Sequence, residues 1–316
     1  MQVDVYGVDP KEIPGIEAGL VTWWTLRGAT SLSDLCNEWY HECLDDNFKP
    51  SAVGAGTALW KAVSGGKFSK YNEDGLIVRK LPKERSAWAI VKERIRGRRE
   101  DADLTYETLM KVWLGDNLEP VFHQPSNIQL DMALFFDGNE YDKWFDEASA
   151  QIENNFHDNL DNLDSRDMSN WLIDVLQNYI AGIRLRQRGG IYYVPPDRVA
   201  LWQNIINIID AVGSTSKSGD TSHVIYTMPV VKSEQVTQAV LDSLSAEVNA
   251  CVEKISEDLN AGIQNRAITN RKGRALALDE KLAAYKSLLG SGLETLETKV
   301  EDLRASITEL ELMNGY

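Results

Sequence analysis

The C-terminal part of this chain, residues 232–316, carries the apolar pattern that most constrains the fold. Apolar side chains recur there in steps of mostly three and four residues, over Leu241, Leu244, Val248, Cys251, Ile255 and Leu259 and again over Leu282, Tyr285, Leu289, Leu293, Leu296, Val300, Leu303, Ile307 and Leu310. This spacing is typical of the a and d positions of a coiled coil. The sequence therefore predicts two long helices that fold back on each other across residues 268–273 as an antiparallel coiled-coil hairpin.

Each predicted arm is about 50 Å long at ~1.5 Å per residue, which is too long for one small core to cover. We therefore expect the rod to meet a partner, either a second copy of the chain or another protein. The second stripe, from Leu282 to Leu310, supplies the predicted oligomerisation residues.

The composition favours a cytoplasmic protein with a substantial core. A chain of 316 residues with 43% hydrophobic content can form one large domain or two ordinary ones. It has no run of about 18 apolar residues, and its first residues are neither basic nor apolar, so we expect neither a membrane span nor a signal peptide. Three cysteines, an odd and small number, fit a reducing compartment.

Residues 1–231 alternate between helical and strand periods. Helical spacing predicts five helices. One starts at Ser31 or Ser33, one covers residues 52–63, one includes Trp144 to Phe156, one starts near Ser165, and one covers residues 196–212. Alternation predicts an antiparallel meander over residues 74–115, a hairpin with a tight turn at Gly189-Gly190, and a strand over residues 224–228.

These elements predict an α+β fold that is predominantly helical, with small antiparallel β-sheets and the long C-terminal hairpin. The predicted domains are an α+β body over residues 1–231, which divides further into 1–130 and 131–231, and the helical coiled-coil hairpin over 232–316.

The net charge of −15 is unevenly distributed, with basic residues concentrated in 79–99 and acidic residues in 137–167. Cationic side chains beside aromatic rings can bind phosphates and stack on bases. The sequence therefore offers a nucleic-acid-binding set in the 79–99 segment and in the hairpin over residues 184–198: Arg79, Lys80, Lys83, Arg85, Trp88, Lys92, Arg94, Arg96, Arg98, Arg99, Arg184, Arg186, Arg188 and Tyr192.

Four short segments bear on the origin of the chain: Ala58-Leu59-Trp60-Lys61-Ala62, Leu76-Ile77-Val78-Arg79, Gly189-Gly190-Ile191-Tyr192-Tyr193-Val194-Pro195 and the segment from Leu282 to Gly290. In these segments and in their order, the chain resembles an uncharacterised protein family of actinobacterial genomes and tailed phages. The resemblance implies a phage or bacterial protein of the host cytoplasm. It implies no activity.

Catalytic motifs are not evident in the sequence. Gly65-Gly66-Lys67 lacks both the upstream glycine and the Ser or Thr of a phosphate-binding loop, and the four histidines have no metalloprotease or deaminase spacing. Acidic side chains at Asp158, Asp161, Asp164 and Asp167 suggest a divalent metal, but a solvated helix end explains them better. We expect no cofactor and no metal.

We interpret the chain as a non-enzymatic phage or bacterial interaction or assembly protein, which self-associates or docks a partner through the coiled-coil rod. The first alternative is a nucleic-acid-binding protein that uses the basic segment and the 184–198 hairpin. The second is a metal-dependent hydrolase with its metal at the acidic residues.

Overall fold

The fold is α+β with small antiparallel sheets, as predicted. A computed structural model describes residues 19–64, 76–81, 86–96, 103–125, 138–186, 189–215, 223–261 and 265–313. Two compact units are formed: one comprises Met1–Gly28, Leu35–Lys49 and Met168–Tyr316, and the other comprises Ala29–Asp34 and Pro50–Asp167. The predicted boundary at residue 231 falls inside the first unit.

The described strands are β1 (Leu20–Thr25), β2 (Ala29–Ser31), β3 (Leu76–Lys80), β4 (Ala87–Arg96), β5 (Asp103–Leu114), β6 (Pro120–His123), β7 (Asn162–Asp164), β8 (Ile183–Arg184), β9 (Tyr192–Val194) and β10 (Val224–Pro229). The described α-helices are α1 (Leu32–His41), α2 (Ala55–Ser64), α3 (Gly138–Asp161), α4 (Ser165–Asp174), α5 (Val199–Thr215), α6 (Glu234–Ala261), α7 (Asn265–Leu289) and α8 (Glu294–Met313). A π-helix (Val175–Tyr179) continues α4, and 3-10 turns cover Asp46–Phe48, Pro196–Arg198 and Gly290–Leu293.

The first unit is organised around a four-stranded sheet in the order β10-β1-β9-β8, with every neighbouring pair antiparallel. On one face, Trp202 of α5 donates its indole N–H to Thr22 Oγ1 at 3.2 Å, and Trp24 stacks on Tyr192 with ring centroids 5.1 Å apart. On the other face, Tyr193 belongs to the hydrophobic core that the C-terminal helices complete. The sheet is therefore covered on both faces at β9.

Where the structure describes the C-terminal part of this unit, it has three helices rather than the two predicted. Helices α6 and α7 are joined by the Lys281 to Glu247 ion pair at 2.7 Å. Helices α7 and α8 are antiparallel, since Lys286 contacts Glu297 at 3.2 Å and Arg304 contacts Asp279 at 2.8 Å. Apolar side chains of all three helices meet in one core cluster.

The predicted reversal at residues 268–273 is wrong, because those residues lie within α7. The second stripe is also not one helix, because the 3-10 turn Gly290–Leu293 separates Leu289 from Leu296. The spacing of a seam continues through this turn, from Leu289 to Leu293 to Leu296, although the chain reverses there. The two halves of the stripe therefore lie on neighbouring helices, α7 and α8, that pack on each other.

The second unit is built on the predicted meander, to which β6 adds a fourth strand in the order β3-β4-β5-β6. A β-bulge interrupts the pairing of β4 with β5 between Ile90 and Val91. Helices α2 and α3 pack on one face through Leu59, Trp144 and Ile152. The β2–β7 pair, Ala29–Ser31 with Asn162–Asp164, completes the described part of this unit.

The hairpin after the π-helix does not have the predicted two-residue turn at Gly189-Gly190. Arg184 pairs with Tyr192, and Leu185 N–H donates to Ile191 O at 3.1 Å, whereas the predicted turn would pair position 188 with Ile191. Gly189 has φ +119°, whereas Gly190 is not among the glycines with positive φ. Only Gly189 therefore uses the conformational freedom that a glycine provides.

Candidate functional site

The outer side of β10 is an open sheet edge. In the described part of the chain, β10 pairs with β1 alone. Val230 N–H donates to Gly19 O at 3.0 Å, and the register places Val21 opposite Met228 and Trp23 opposite Tyr226. Because the backbone groups of antiparallel residues point alternately to the two sides, those of Ile225 and Thr227 face outward. The backbone of Pro229 faces the same side as that of Ile225 and Thr227, and because proline has no N–H, this position offers no outward donor.

An apolar patch adjoins this edge, formed by Trp23, Tyr226, Met228 and Val231. Tyr226 is 41% exposed, Met228 is 52% exposed and Val231 is 70% exposed. Tyr226 stacks on the cross-strand Trp23 with ring centroids 5.4 Å apart. Large apolar and aromatic side chains beside unpaired backbone groups are features of protein interaction sites.

The edge segment, residues 224–231, contains no charged side chain, although the chain carries a net charge of −15. Natural sheet edges are usually protected by lysines, by inward-pointing charges or by a covering element. Within the described residues, the protective feature of this edge is Pro229, which lies at the end of the strand. The arrangement can accept a further strand through the outward groups of Ile225 and Thr227.

The predicted oligomerisation residues lie inside the core of the first unit rather than on its surface. Every member of the second stripe whose burial is described is buried: Leu282, Tyr285, Leu289, Leu293, Leu296, Val300, Leu303 and Ile307. The side chain of Leu310 lies outside the described residues. Packing within one chain accounts for the stripe, so an intermolecular role for these side chains stays a prediction.

The predicted nucleic-acid residues are only partly described. Lys83, Arg85, Arg98, Arg99 and Arg188 lie outside the described residues, as do the side chains of Arg94 and Arg96. Trp88 and Tyr192 are buried, so neither ring can stack on a base as predicted. Tyr192 instead accepts a hydrogen bond on its hydroxyl from Arg184 at 3.1 Å. Arg79, Lys80 and Arg186 are exposed, and Lys92 is half-buried.

Part of the basic set shares one face of the second unit's sheet. Arg79 pairs with Ala89, which in turn pairs with Lys111, so their side chains lie in one row across three strands. The Arg79 guanidinium lies 3.8 Å from the ring centroid of Tyr106, which is 42% exposed. Lys111 is also exposed. Tyr106 and Lys111 were not predicted as part of this surface.

The acidic residues after α3 are used structurally. Lys61 of α2 forms ion pairs with Asp164, at 2.6 Å, and with Asp167. Burial alone would raise the pKa of Asp164, but the hydrogen bond from Lys61, the backbone N–H groups of Asp167 and Arg166 and the Lys61 charge together outweigh it and lower that pKa. The described residues contain no group of three or more His, Cys, Asp or Glu side chains arranged to bind a metal ion.

The chain belongs to a family of unknown function, DUF6744, whose model matches residues 18–314. No curated protein and no solved structure matches the chain. Throughout the described residues, each helix is too short or too polar to cross a membrane.

Proposed function

We propose that this member of the family is a non-enzymatic interaction protein that self-associates by pairing the β10 edges of two copies. The single observation that supports this most is the open, uncharged edge of β10 beside the exposed Tyr226 and Met228. The coiled-coil packing of the C-terminal helices, the phage or bacterial origin and the cytoplasmic location also belong to this proposal.

The geometry of β10 suits pairing with its own copy. With a two-fold axis at Tyr226, Ile225 of one copy would exchange backbone hydrogen bonds with the partner's Thr227. The two Tyr226 rings would then be directly opposite each other on the face that carries Trp23. Cross-strand aromatic pairs of this kind contribute roughly 0.2–1 kcal/mol each.

Charge does not oppose contact between two copies at this surface. Two chains of net charge −15 repel each other, and an uncharged edge adds no further repulsion at the contact. The contact is nevertheless small. Two six-residue strands and their flanking side chains bury less surface than the ~1,200–2,000 Å² that stable complexes bury. We therefore expect a dimer that dissociates on dilution.

Sedimentation velocity over a range of about 1–100 μM tests the proposal. We expect the wild type to shift from monomer to dimer as its concentration increases. Thr227→Pro removes one outward donor without breaking the β1 ladder and should stay monomeric at the same concentrations. Thr227→Val keeps the N–H and is the matched control, so it should associate like the wild type.

A wild type that is monomeric throughout, or a Thr227→Pro variant that still dimerises, would refute self-association through this edge. In the first case, an extended segment of a different protein becomes the preferred occupant of the edge. In the second case, another surface, such as the helical stripe, has to supply the contact between copies.

A second candidate function is nucleic-acid binding at the surface that carries Arg79, Tyr106 and Lys111. Its support is the exposed ring of Tyr106 under the Arg79 guanidinium, because such pairs bind phosphates and bases together. Fluorescence anisotropy with single-stranded DNA and RNA tests it. Arg79→Ala and Lys111→Ala should each reduce the salt slope by about one, whereas no binding at about 50 mM salt excludes it.

A further inference from the structure

A cleft in the first unit is lined by the π-helix and by helices α6 and α7. Its volume is about 370 Å³, and its polar lining comprises Gln177, Asn178, Glu247, Lys254 and Lys281. Ligand sites for small molecules usually have volumes of ~300–1,000 Å³. The cleft is therefore large enough for a small metabolite and is independent of the β10 edge.

Lys281 is the unusual member of this lining. It is only 4% exposed, and its described hydrogen bond is to Glu247 Oε1, at 2.7 Å. An ammonium group has three N–H donors, and a buried donor without an acceptor costs free energy. One acceptor therefore leaves capacity at Lys281 Nζ for an oxygen ligand in the cleft.

The π-helix supplies the opposite wall of the cleft. Regular α-helix ends at Asp174, and the wider turn over Val175–Tyr179 places Gln177 and Asn178 in the lining. Asn178 donates to Asp174 Oδ1 at 2.6 Å, which fixes the orientation of its amide. The π-turn ends α4, with Ile180 N–H donating to Val175 O at 3.0 Å, and it holds the two amides at the cleft.

The charge of the lining selects the class of ligand. Two lysines, Lys254 and Lys281, face one carboxylate, Glu247, so the lining is net positive in a chain of net charge −15. Ala250 and Ala277 leave space beside these groups. We infer that the cleft binds a small organic anion, with a carboxylate or phosphate oxygen on Lys281 Nζ and Lys254 closing over the anion from the exposed rim.

Isothermal titration calorimetry with succinate and, separately, with inorganic phosphate tests this inference and distinguishes the two anion chemistries. We expect one of the two probes to bind the full-length wild type. Lys254→Met, at an exposed position, should weaken that binding by about tenfold or more, as expected for loss of a charge-assisted hydrogen bond. Lys232→Met removes the same charge from an exposed site outside the cleft and should leave binding unchanged.

The buried lysine needs a balanced variant, because Lys281→Met alone leaves Glu247 without its partner. The double variant Glu247→Gln with Lys281→Met removes both charges, and its fold can be verified by circular dichroism before titration. We expect it to lose binding. The inference is overturned if neither probe binds the wild type up to about 10 mM, if the double variant binds normally, or if Lys232→Met weakens binding as much as Lys254→Met.

Discussion

Truncation of Leu296 distinguishes a core role of the apolar stripe from an intermolecular one. Leu296 is 3% exposed and lies in the cluster that α6, α7 and α8 share. Replacing such a leucine by alanine costs about 2–5 kcal/mol, because burial is lost and a cavity remains. In a unit of roughly 200 residues each kcal/mol lowers Tm by about 2–4 °C, so a loss of about 3 kcal/mol lowers it by about 6–12 °C.

The assay is thermal unfolding by circular dichroism, combined with mass measurement in the folded state at matched concentration. We expect Leu296→Ala to lower Tm and to leave the mass unchanged, and Glu301→Ala, an exposed control on the same helix, to change neither. A variant with normal Tm and reduced mass would show that the stripe is an interface, and the assignment of Leu296 to the core would be refuted.

Three further predictions concern stability. Tyr285→Phe should cost about 1–3 kcal/mol in urea unfolding, because the buried hydroxyl donates to a backbone carbonyl at 3.0 Å. The pKa of Asp164 is lowered in the folded protein, so its ion pair with Lys61 stabilises the fold at pH values above the ordinary carboxyl pKa. This stabilisation is lost as the pH falls through the folded pKa. In a plot of Tm against pH, Lys61→Met should therefore reduce the decrease of Tm on the acidic side. Gly189→Val should cost about 1–3 kcal/mol through strain at φ +119°, whereas Gly190→Val should be mild, and equal Tm values would contradict this.

Much of the fold could be predicted because the apolar spacing of most helices and strands is a property of neighbouring residues in the sequence. Helices α1 to α5 and the meander strands follow from helical spacing or from alternation. Strand β1 could not be predicted, because it is paired on both sides and its residues Trp23 and Trp24 are aromatic on both faces, which hides the alternation. Its partners β9 and β10 also lie far away in the sequence, beyond the reach of local patterns.

The turn before α8 illustrates a different limit. Gly290 and Gly292 signal a break, but the step from Leu289 to Leu293 to Leu296 preserves the seam spacing across it. The periodic spacing therefore predicts one helix where the structure has two.

The candidate interface was similarly visible only in part. The uncharged run 224–231 can be read from the sequence. That β10 is an edge strand depends on the order of the sheet, which no local pattern contains. The cleft likewise depends on residues from three separate helical segments.

Disulfide trapping tests the proposed β10 pairing most directly. With the native cysteines Cys36, Cys43 and Cys251 replaced by serine, Tyr226→Cys would place two thiols opposite each other at the two-fold axis. Such non-hydrogen-bonded pairs have Cα atoms about 4.5 Å apart, within the ~4.4–6.8 Å range that a disulfide requires. The account predicts a covalent dimer for Tyr226→Cys after mild oxidation and none for Thr227→Cys, whose counterpart is the partner's Ile225. Absence of the dimer, or equal dimer formation by both variants, would contradict it.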